Sequence, residues 1–237
     1  MSERRKIIDT IRLSSARTAE ELLDAILLSF PERSGVIVRE RFGIVDGAEK
    51  TLEEIGKRHS ITRERVRQIV DVIMKRTKEI MARESQHVLV SRIVEMVRGN
   101  GGIMTIEAVL STLGHNKVSE RKAISALLPA FPGIKLSHET KEHQRIVTTS
   151  EFSMIEWEKL VTTVVSLLEE LADVQSPEAL HALFIKRSDG SDLTQELFES
   201  LLTPSAQIEK NAFGRYGLSH WSTVRPRGTR ERAHLIL

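Results

Sequence analysis

The chain has 237 residues and is 40% hydrophobic, 29% charged and 4% aromatic, a composition that excludes wholesale disorder and favours helices over aromatic-rich β-sandwiches. It contains no cysteine, which excludes disulfides, thiol nucleophiles and zinc sites with Cys ligands. The formal net charge of +2 hides an uneven distribution. Residues 57–83 carry nine Lys/Arg and three Asp/Glu, whereas residues 151–203 carry three and eleven. A basic block of this kind is typical of phosphate binding, so we expect one part of the chain to face nucleic acid.

The sequence also contains no apolar run that approaches the roughly 18 residues of a membrane span, and no signal-peptide pattern at its start. We therefore expect a cytoplasmic protein with no membrane contact.

Changes in charge and in hydrophobic periodicity predict a mainly α fold: a helix-turn-helix domain followed by two winged-helix modules, each with a small β-hairpin. The predicted segments are a basic N-terminal segment at 1–18, the helix-turn-helix domain at 19–84, a first winged-helix module at 85–150, a second, acidic one at 151–224, and a C-terminal helix at 225–237. The last helix begins at Thr229, and its apolar end leaves two alternatives open: it docks on the preceding module, or it is the start of a further module.

The first predicted helices have clear boundary signals. Thr18 with Glu21 three residues later forms a capping-box pattern ahead of a helix with apolar residues at helical spacing. Pro31 stands where a second helix would begin, and Gly43 ends it.

Residues 51–69 fit a helix-turn-helix frame position by position. The frame requires a small residue where the two helices cross, and Gly56 occupies that place. His59 and Ser60 depart from the frame, which usually has an apolar residue and a glycine at their positions. Thr62 is placed to cap the second helix. The apolar places of the frame are filled by Ile55, Ile61, Val66 and Ile69.

Exposed positions near the start of this second helix suit contacts with base edges. Arginine pairs with guanine, glutamine with adenine, and glutamate accepts a hydrogen bond from cytosine. The same charges would also pair within an ordinary surface helix, which is the alternative interpretation. The residues in question are Arg63, Glu64, Arg65, Arg67 and Gln68, and the basic face continues with Lys75, Arg76 and Lys78.

Residues 85–150 and 151–224 each show three helices followed by a hairpin, the order of elements in a winged helix. In the first hairpin, Lys135, Lys141 and Arg145 are further candidates for phosphate contact. The acidic balance of the second module argues against DNA contact there and favours a protein partner.

The sequence shows no nucleophile–base pair, no metal cluster and no cofactor loop. The motif around His138 and His143 lacks the zinc spacing of HExxH, and the glycines that follow Arg98 lack the Gly-Lys-Ser/Thr of a phosphate loop. We therefore expect no enzymatic activity, no metal and no cofactor.

Two stretches are specific enough to compare with a family: RERFGI, followed after a short loop by TLEEIGKRHSITRERVRQI, and the partly overlapping LLDAILLSFPERSGVIVRERFG. Together they resemble region four, the −35-element-binding helix-turn-helix, of housekeeping-type sigma-70 family bacterial sigma factors. The resemblance spans roughly residues 19–83. It implies that the domain docks on the flap of the RNA polymerase β subunit.

The resemblance also implies roles for single residues. Arg63, Glu64, Arg67 and Gln68 would read bases of a −35-type promoter element in the major groove. Phosphates would be contacted by Arg41, Thr51 and Thr62. The basic face of the helix, independently of the resemblance, makes Arg65, Lys75, Arg76 and Lys78 further candidates for phosphate contact.

The chain lacks the aromatic-rich region with which sigma factors melt the −10 element, so it is not a complete sigma factor. It resembles proteins in which a region-four domain is joined to winged-helix modules. The stretch GLSHWSTVRPRGTRERAHLIL also resembles the lead-in to a HARE-type helix-turn-helix domain.

We therefore predict a sequence-specific regulator of transcription that binds double-stranded DNA and acts with bacterial RNA polymerase. Two alternatives stay open at this point. The first is a protein–protein adaptor built on tandem winged helices, and the second is the DNA-recognition part of a larger restriction or modification enzyme.

Overall fold

The computed structural model describes residues 13–114, 117–188 and 192–226 and divides into two compact units. The first unit is built from residues up to 95 together with residues 107–134. The second is built from residues 96–106 together with residues from 135 onward. The predicted helix at Thr229 lies outside the described residues, as does most of the N-terminal segment. Within the described residues no helix is both long enough and apolar enough to cross a membrane.

The first unit is helical. Its elements are α1 (Ala19–Leu27), α2 (Glu32–Arg41), α3 (Leu52–His59), α4 (Arg63–Arg83), most of α5 (Val88–Gly99), α6 (Ile106–Gly114), α7 (Val118–Leu127) and a 3-10 turn (Leu128–Ala130). The sequence signals at the first boundary are confirmed, because the Thr18 hydroxyl accepts from the Glu21 amide and the Glu21 carboxylate accepts from the Thr18 amide. The buried face of α1 carries Leu22, Leu23, Ile26 and Leu27.

A buried carboxylate connects α7 to the start of α1, about one hundred residues earlier in the chain. The Glu120 side chain accepts hydrogen bonds from the backbone amides of Ala19 (2.6 Å) and Glu20 (3.0 Å). Lys117 and Ser119 contact the Glu20 carboxylate beside it, and the hydrogen bond from Lys117 lowers the pKa of Glu20. A carboxylate at a helix N-terminus pairs free amides and complements the helix dipole, so Glu120 fixes α7 on α1.

Among the residues that the structure describes, the second unit contains two small antiparallel sheets and three helices. Three strands form a sheet in the order β1–β3–β2, and Ile103 stands opposite Thr148 in its register. The second sheet is a hairpin that turns at Gly214, where φ is +75°. Its elements are β1 (Ile103–Thr105), β2 (Ile134–Ser137), β3 (Ile146–Thr149), α8 (Met154–Leu171), α9 (Pro177–Arg187), α10 (Gln195–Leu202), β4 (Ile208–Lys210) and β5 (Tyr216–Leu218).

One core joins these elements. Trp157 of α8 and Phe198 of α10 are buried in it together with Ile103 and Ile146 of the first sheet. The indole Nε1 of Trp157 donates to the carbonyl of Leu201 at 2.8 Å, so the ring is fixed in the core without an unpaired polar group.

The predicted fold class is confirmed: the chain is mainly helical, with a helix-turn-helix domain and small antiparallel sheets. After residue 87 three helices precede a hairpin, as predicted, and a short strand, β1, lies between the first two of these helices. The first compact unit includes nearly all of α6 and the whole of α7, and the second includes β1, β3 and all of β2 except Ile134. The division of residues 85–224 into two modules stays a prediction.

We predict that Glu120→Ala destabilises the first unit by roughly 1–3 kcal/mol, because the amides of Ala19 and Glu20 lose their acceptor in a buried place. Hydrogen–deuterium exchange of the α1 amides and urea unfolding measure the effect. Glu95→Ala, at an exposed position of α5, is the matched control and should stay within about 0.5 kcal/mol of the wild type. Equal exchange rates in the two variants would contradict the bracing role of Glu120.

Candidate nucleic-acid interface

The helix-turn-helix is formed by α3 and α4 with a three-residue turn between them. The turn is closed by a hydrogen bond from the Ile61 amide to the Gly56 carbonyl at 3.0 Å. Ser60 ends α3 in the left-handed conformation, with φ +52°. Ser60 thus adopts the left-handed conformation that glycine usually takes in this turn, and its side chain makes that conformation more strained than it would be for glycine.

Gly56 is the point of closest approach between the two helices. A Cβ atom built on it would lie 2.8 Å from the Ile61 carbonyl oxygen and 3.3 Å from the Arg63 amide nitrogen. Both neighbours are backbone atoms, which cannot rotate away. The frame's requirement for a small residue therefore comes from the crossing of α3 and the start of α4.

A small apolar core holds these helices against α2. Ile37, Ile55 and Val66 are fully buried, and partly buried residues pack around them: Leu52, Ile61, Ile69 and Val70. Because Val66 faces inward, the opposite side of the first two turns of α4 faces solvent.

Glu40 of α2 explains why the frame has histidine where an apolar residue is usual. The Glu40 side chain is only 5% exposed and pairs with His59 Nε2 at 2.9 Å and with Arg58 Nη1 at 2.7 Å. Arg33 donates to the His59 carbonyl from the same side. Glu40 was not among the residues predicted from sequence, although a polar residue at an apolar place of the frame indicates that a buried partner exists.

Thr51 and Thr62, the two threonines predicted to contact phosphate, cap α3 and α4. They differ in the hydrogen bonds that their hydroxyl groups make. Thr51 accepts from the Glu54 amide and also donates its hydroxyl proton to Glu54 Oε2 at 2.8 Å. Thr62 accepts from the Arg65 amide at 3.1 Å, and in this contact its hydroxyl is the acceptor. The capping role predicted for Thr62 is confirmed, and this cap is compatible with donating to a phosphate.

Three side chains on the exposed face of α4, Glu64, Arg67 and Asp71, form a hydrogen-bonded row. Arg67 donates to Glu64 through Nε (3.0 Å) and Nη2 (2.7 Å), and to Asp71 through Nη1 (2.6 Å). These three side chains are each more than half exposed. The hydrogen bond from Arg67 lowers the pKa of Glu64, and the same contact raises the pKa of Arg67, so both groups are charged at neutral pH. Gln68 adjoins the row through Arg65, whose Nη1 lies 3.2 Å from its Oε1.

The pairing within a surface helix, which was the alternative interpretation of these charges, therefore describes the protein without DNA. Exposed ion pairs of this kind are weak in water and screened by salt. Their donors and acceptors can be transferred to base edges at little cost, so the pairs do not exclude a reading role.

The other basic candidates lie apart from this row. Lys75 and Lys78 are exposed on α4, and Lys75 is about 18 Å along the helix axis from Arg63. Arg76 pairs with Glu79 at 2.8 Å. Arg41 of α2 is half-buried and donates from Nη1 to the Lys50 carbonyl at 2.9 Å.

Outside this domain, two of the polar residues considered in the sequence analysis, His143 and Lys135, contact backbone carbonyls. His143 Nδ1 lies 2.7 Å from the Gln144 carbonyl, and Lys135 donates to the Ser150 carbonyl at 2.9 Å. In the part of the chain that the structure describes, no group of three or more His, Asp or Glu side chains is placed to hold a metal ion.

Comparison with known proteins identifies the class of this domain. Residues 26–79 match the family model of sigma-70 region 4, as the resemblance of the sequence predicted. The RNA polymerase principal sigma factor HrdD of Streptomyces griseus is 49% identical over 49 residues, which is 21% of this chain and 15% of that protein. The RNA polymerase sigma factor SigA of a Bacillus species is 48% identical over 50 residues, and that of Clostridium acetobutylicum is 47% identical over 53.

The similarity is confined to the helix-turn-helix domain. The matched stretch spans only 13–15% of the length of these sigma factors, and it covers about a fifth of this chain. It supports a sigma-factor-like, DNA-binding role in transcription for residues 26–79, and it leaves the α5–β5 region without a counterpart in the matched alignments.

We predict that Gly56→Ala lowers the stability of the first unit by about 1–3 kcal/mol, because the added Cβ collides with backbone atoms of the turn. Gly35→Ala is a matched control in the neighbouring helix, where the nearest atom to the added Cβ is 3.7 Å away. It should hold or raise stability, since alanine costs less backbone entropy than glycine in a helix. Thermal unfolding of both variants checks this, and equal midpoints would contradict the close crossing.

Proposed function

We propose that this protein is a sequence-specific transcription regulator that places the first two turns of α4 in the major groove of double-stranded DNA. The observation that carries the proposal is the exposure of Glu64, Arg67 and Gln68 together on the second helix of a helix-turn-helix. Its support is threefold: the Gly56 crossing, the Thr62 cap, and the match of residues 26–79 to sigma-70 region 4. The proposed activity is binding, with no catalytic step, metal or cofactor.

In this proposal each side chain contacts the edge of a particular base in the major groove. Arg63 and Arg67 donate to guanine O6 and N7, Gln68 pairs with adenine N6 and N7, and Glu64 accepts from cytosine N4. The residues stand three and four positions apart, on one side of the helix, which lets them face successive base pairs.

Phosphate contacts would fix the domain on the duplex without reading sequence. Thr62 and Thr51 are placed at the two helix N-termini, where backbone amides attract phosphate, and Thr51 would have to release Glu54 before its hydroxyl could donate to a phosphate. Arg41 and Arg65 would add cations near the base-reading turns. Further along α4, the contacts would come from Lys75, Arg76 and Lys78.

The names of the similar proteins support a place for this chain beside RNA polymerase. Both HrdD and SigA are RNA polymerase sigma factors, and the matched segment is their region 4. We infer a −35-type promoter element as the DNA target. We further propose that the domain docks on the β-flap of bacterial RNA polymerase, by the resemblance described above.

A protein partner for the acidic segment is the second candidate function. Residues 151–203 carry eleven Asp/Glu and three Lys/Arg, which disfavours phosphate contact. Ile155 and Leu171, at the two ends of α8, are 65% and 43% exposed. An adaptor role would show as little binding to duplex DNA together with a stable protein complex.

We predict that Arg67→Ala weakens binding to a preferred duplex roughly 5- to 150-fold, the range expected for loss of one bidentate contact with a base. The loss should be confined to one or two base pairs, where sequence preference relaxes. Fluorescence anisotropy with a set of single-substitution duplexes measures it. Arg83→Ala, which removes the same charge from the far end of α4, should leave the preference unchanged. An equal loss on every duplex would contradict base reading by Arg67.

We predict a different signature for Lys75→Ala, since a phosphate contact carries no sequence information. Binding should weaken by a similar factor on all duplexes, and the slope of log K against log salt should become shallower by about 0.9. A titration between low and moderate salt measures the slope. An unchanged slope with reduced affinity would remove Lys75 from the phosphate contacts.

A further inference from the structure

Asp71 is a carboxylate on the face of α4 that the proposed function turns toward DNA. Its Oδ2 accepts a hydrogen bond from Arg67 Nη1 at 2.6 Å, and its side chain is 58% exposed. A negative charge on a face that binds DNA is repelled by the phosphate backbone of every duplex, whatever its sequence. The residue therefore costs affinity, and a compensating gain has to come from its contact with Arg67.

The contact with Asp71 complements the one with Glu64. Glu64 occupies Nε and Nη2 of Arg67, which are adjacent on one edge of the guanidinium plane. Asp71 accepts a hydrogen bond from Nη1, at the opposite edge of the guanidinium group. Arg67 thus has a carboxylate acceptor at each edge of its guanidinium plane, and although each exposed pair is weak in water, the two favour the same orientation of the plane.

The two contacts also differ in what can happen to them on DNA. A guanidinium edge with two parallel donors is the geometry that matches O6 and N7 of guanine. When Glu64 gives up this edge to accept from a base instead, Nη1 can stay on Asp71. Arg67 then meets the base with its plane already oriented, and less rotamer freedom is lost on binding.

From this geometry we propose that Asp71 is a positioning residue that orients Arg67 and so determines how strongly the protein prefers guanine at one base pair. The inference rests on the proposed function. It assigns to Asp71 a gain in sequence discrimination and a loss in overall affinity. These opposite effects distinguish positioning from a simple change of charge.

The test uses the full chain and the duplex set described for Arg67→Ala, with Asp71→Ala as the main variant. We expect the preference for guanine at the Arg67 base pair to fall about 5- to 10-fold, while affinity for unrelated duplexes rises. Glu79→Ala is the matched control, because Glu79 is an exposed carboxylate of the same helix that pairs with Arg76. It should raise affinity for all duplexes without changing the preference.

Asp71→Asn separates charge from geometry, since asparagine keeps an acceptor oxygen for Arg67 Nη1 and loses the charge. Its affinity for unrelated duplexes should rise as in Asp71→Ala, and its preference for guanine should fall less. An unchanged preference in Asp71→Ala would overturn the inference while leaving the proposed function intact. If the wild-type chain prefers no duplex at all, the proposed function fails and the inference fails with it.

Discussion

The candidate interface depends on the close approach of α3 and α4 at Gly56. With only 2.8 Å between a built Cβ and the Ile61 carbonyl, this crossing leaves no room for a side chain. It sets the direction in which α4 leaves the turn, and the burial of Val66 then decides which face of α4 is exposed. The polar row around Arg67 faces solvent as a consequence of these two contacts, so a steric constraint on one glycine determines the geometry of the surface proposed to read DNA.

Two buried carboxylates support this geometry from outside the motif. Glu40 joins α2 to the end of α3 through Arg58 and His59, and Glu120 joins α7 to the start of α1. Residues 107–134, which contain α6 and α7, belong to the same compact unit as the helix-turn-helix. This arrangement favours a rigid domain that presents its reading helix, with protein contacts proposed for the acidic segment elsewhere.

The parts of this account that follow from sequence are those with short-range causes. The caps by Thr18 and Thr62 and the small residue at Gly56 depend on neighbours within a few positions, and all three are confirmed. The partners of Glu40 and Glu120 lie 18–19 and about one hundred residues away, where periodicity shows that a face is buried but not what covers it. Asp71 was within reach of sequence reasoning, since it stands four positions after Arg67, a spacing at which helical side chains meet. The roles of the site residues on DNA stay predictions, because only a bound duplex can test them.

Sequence reading by α4 is tested most directly by selecting duplexes with the full chain from a random pool and sequencing the bound fraction. We expect enrichment of a short element of the −35 type, with a guanine whose enrichment disappears in Arg67→Ala. Recovery of a bound fraction with the same composition as the starting pool would contradict sequence reading by α4.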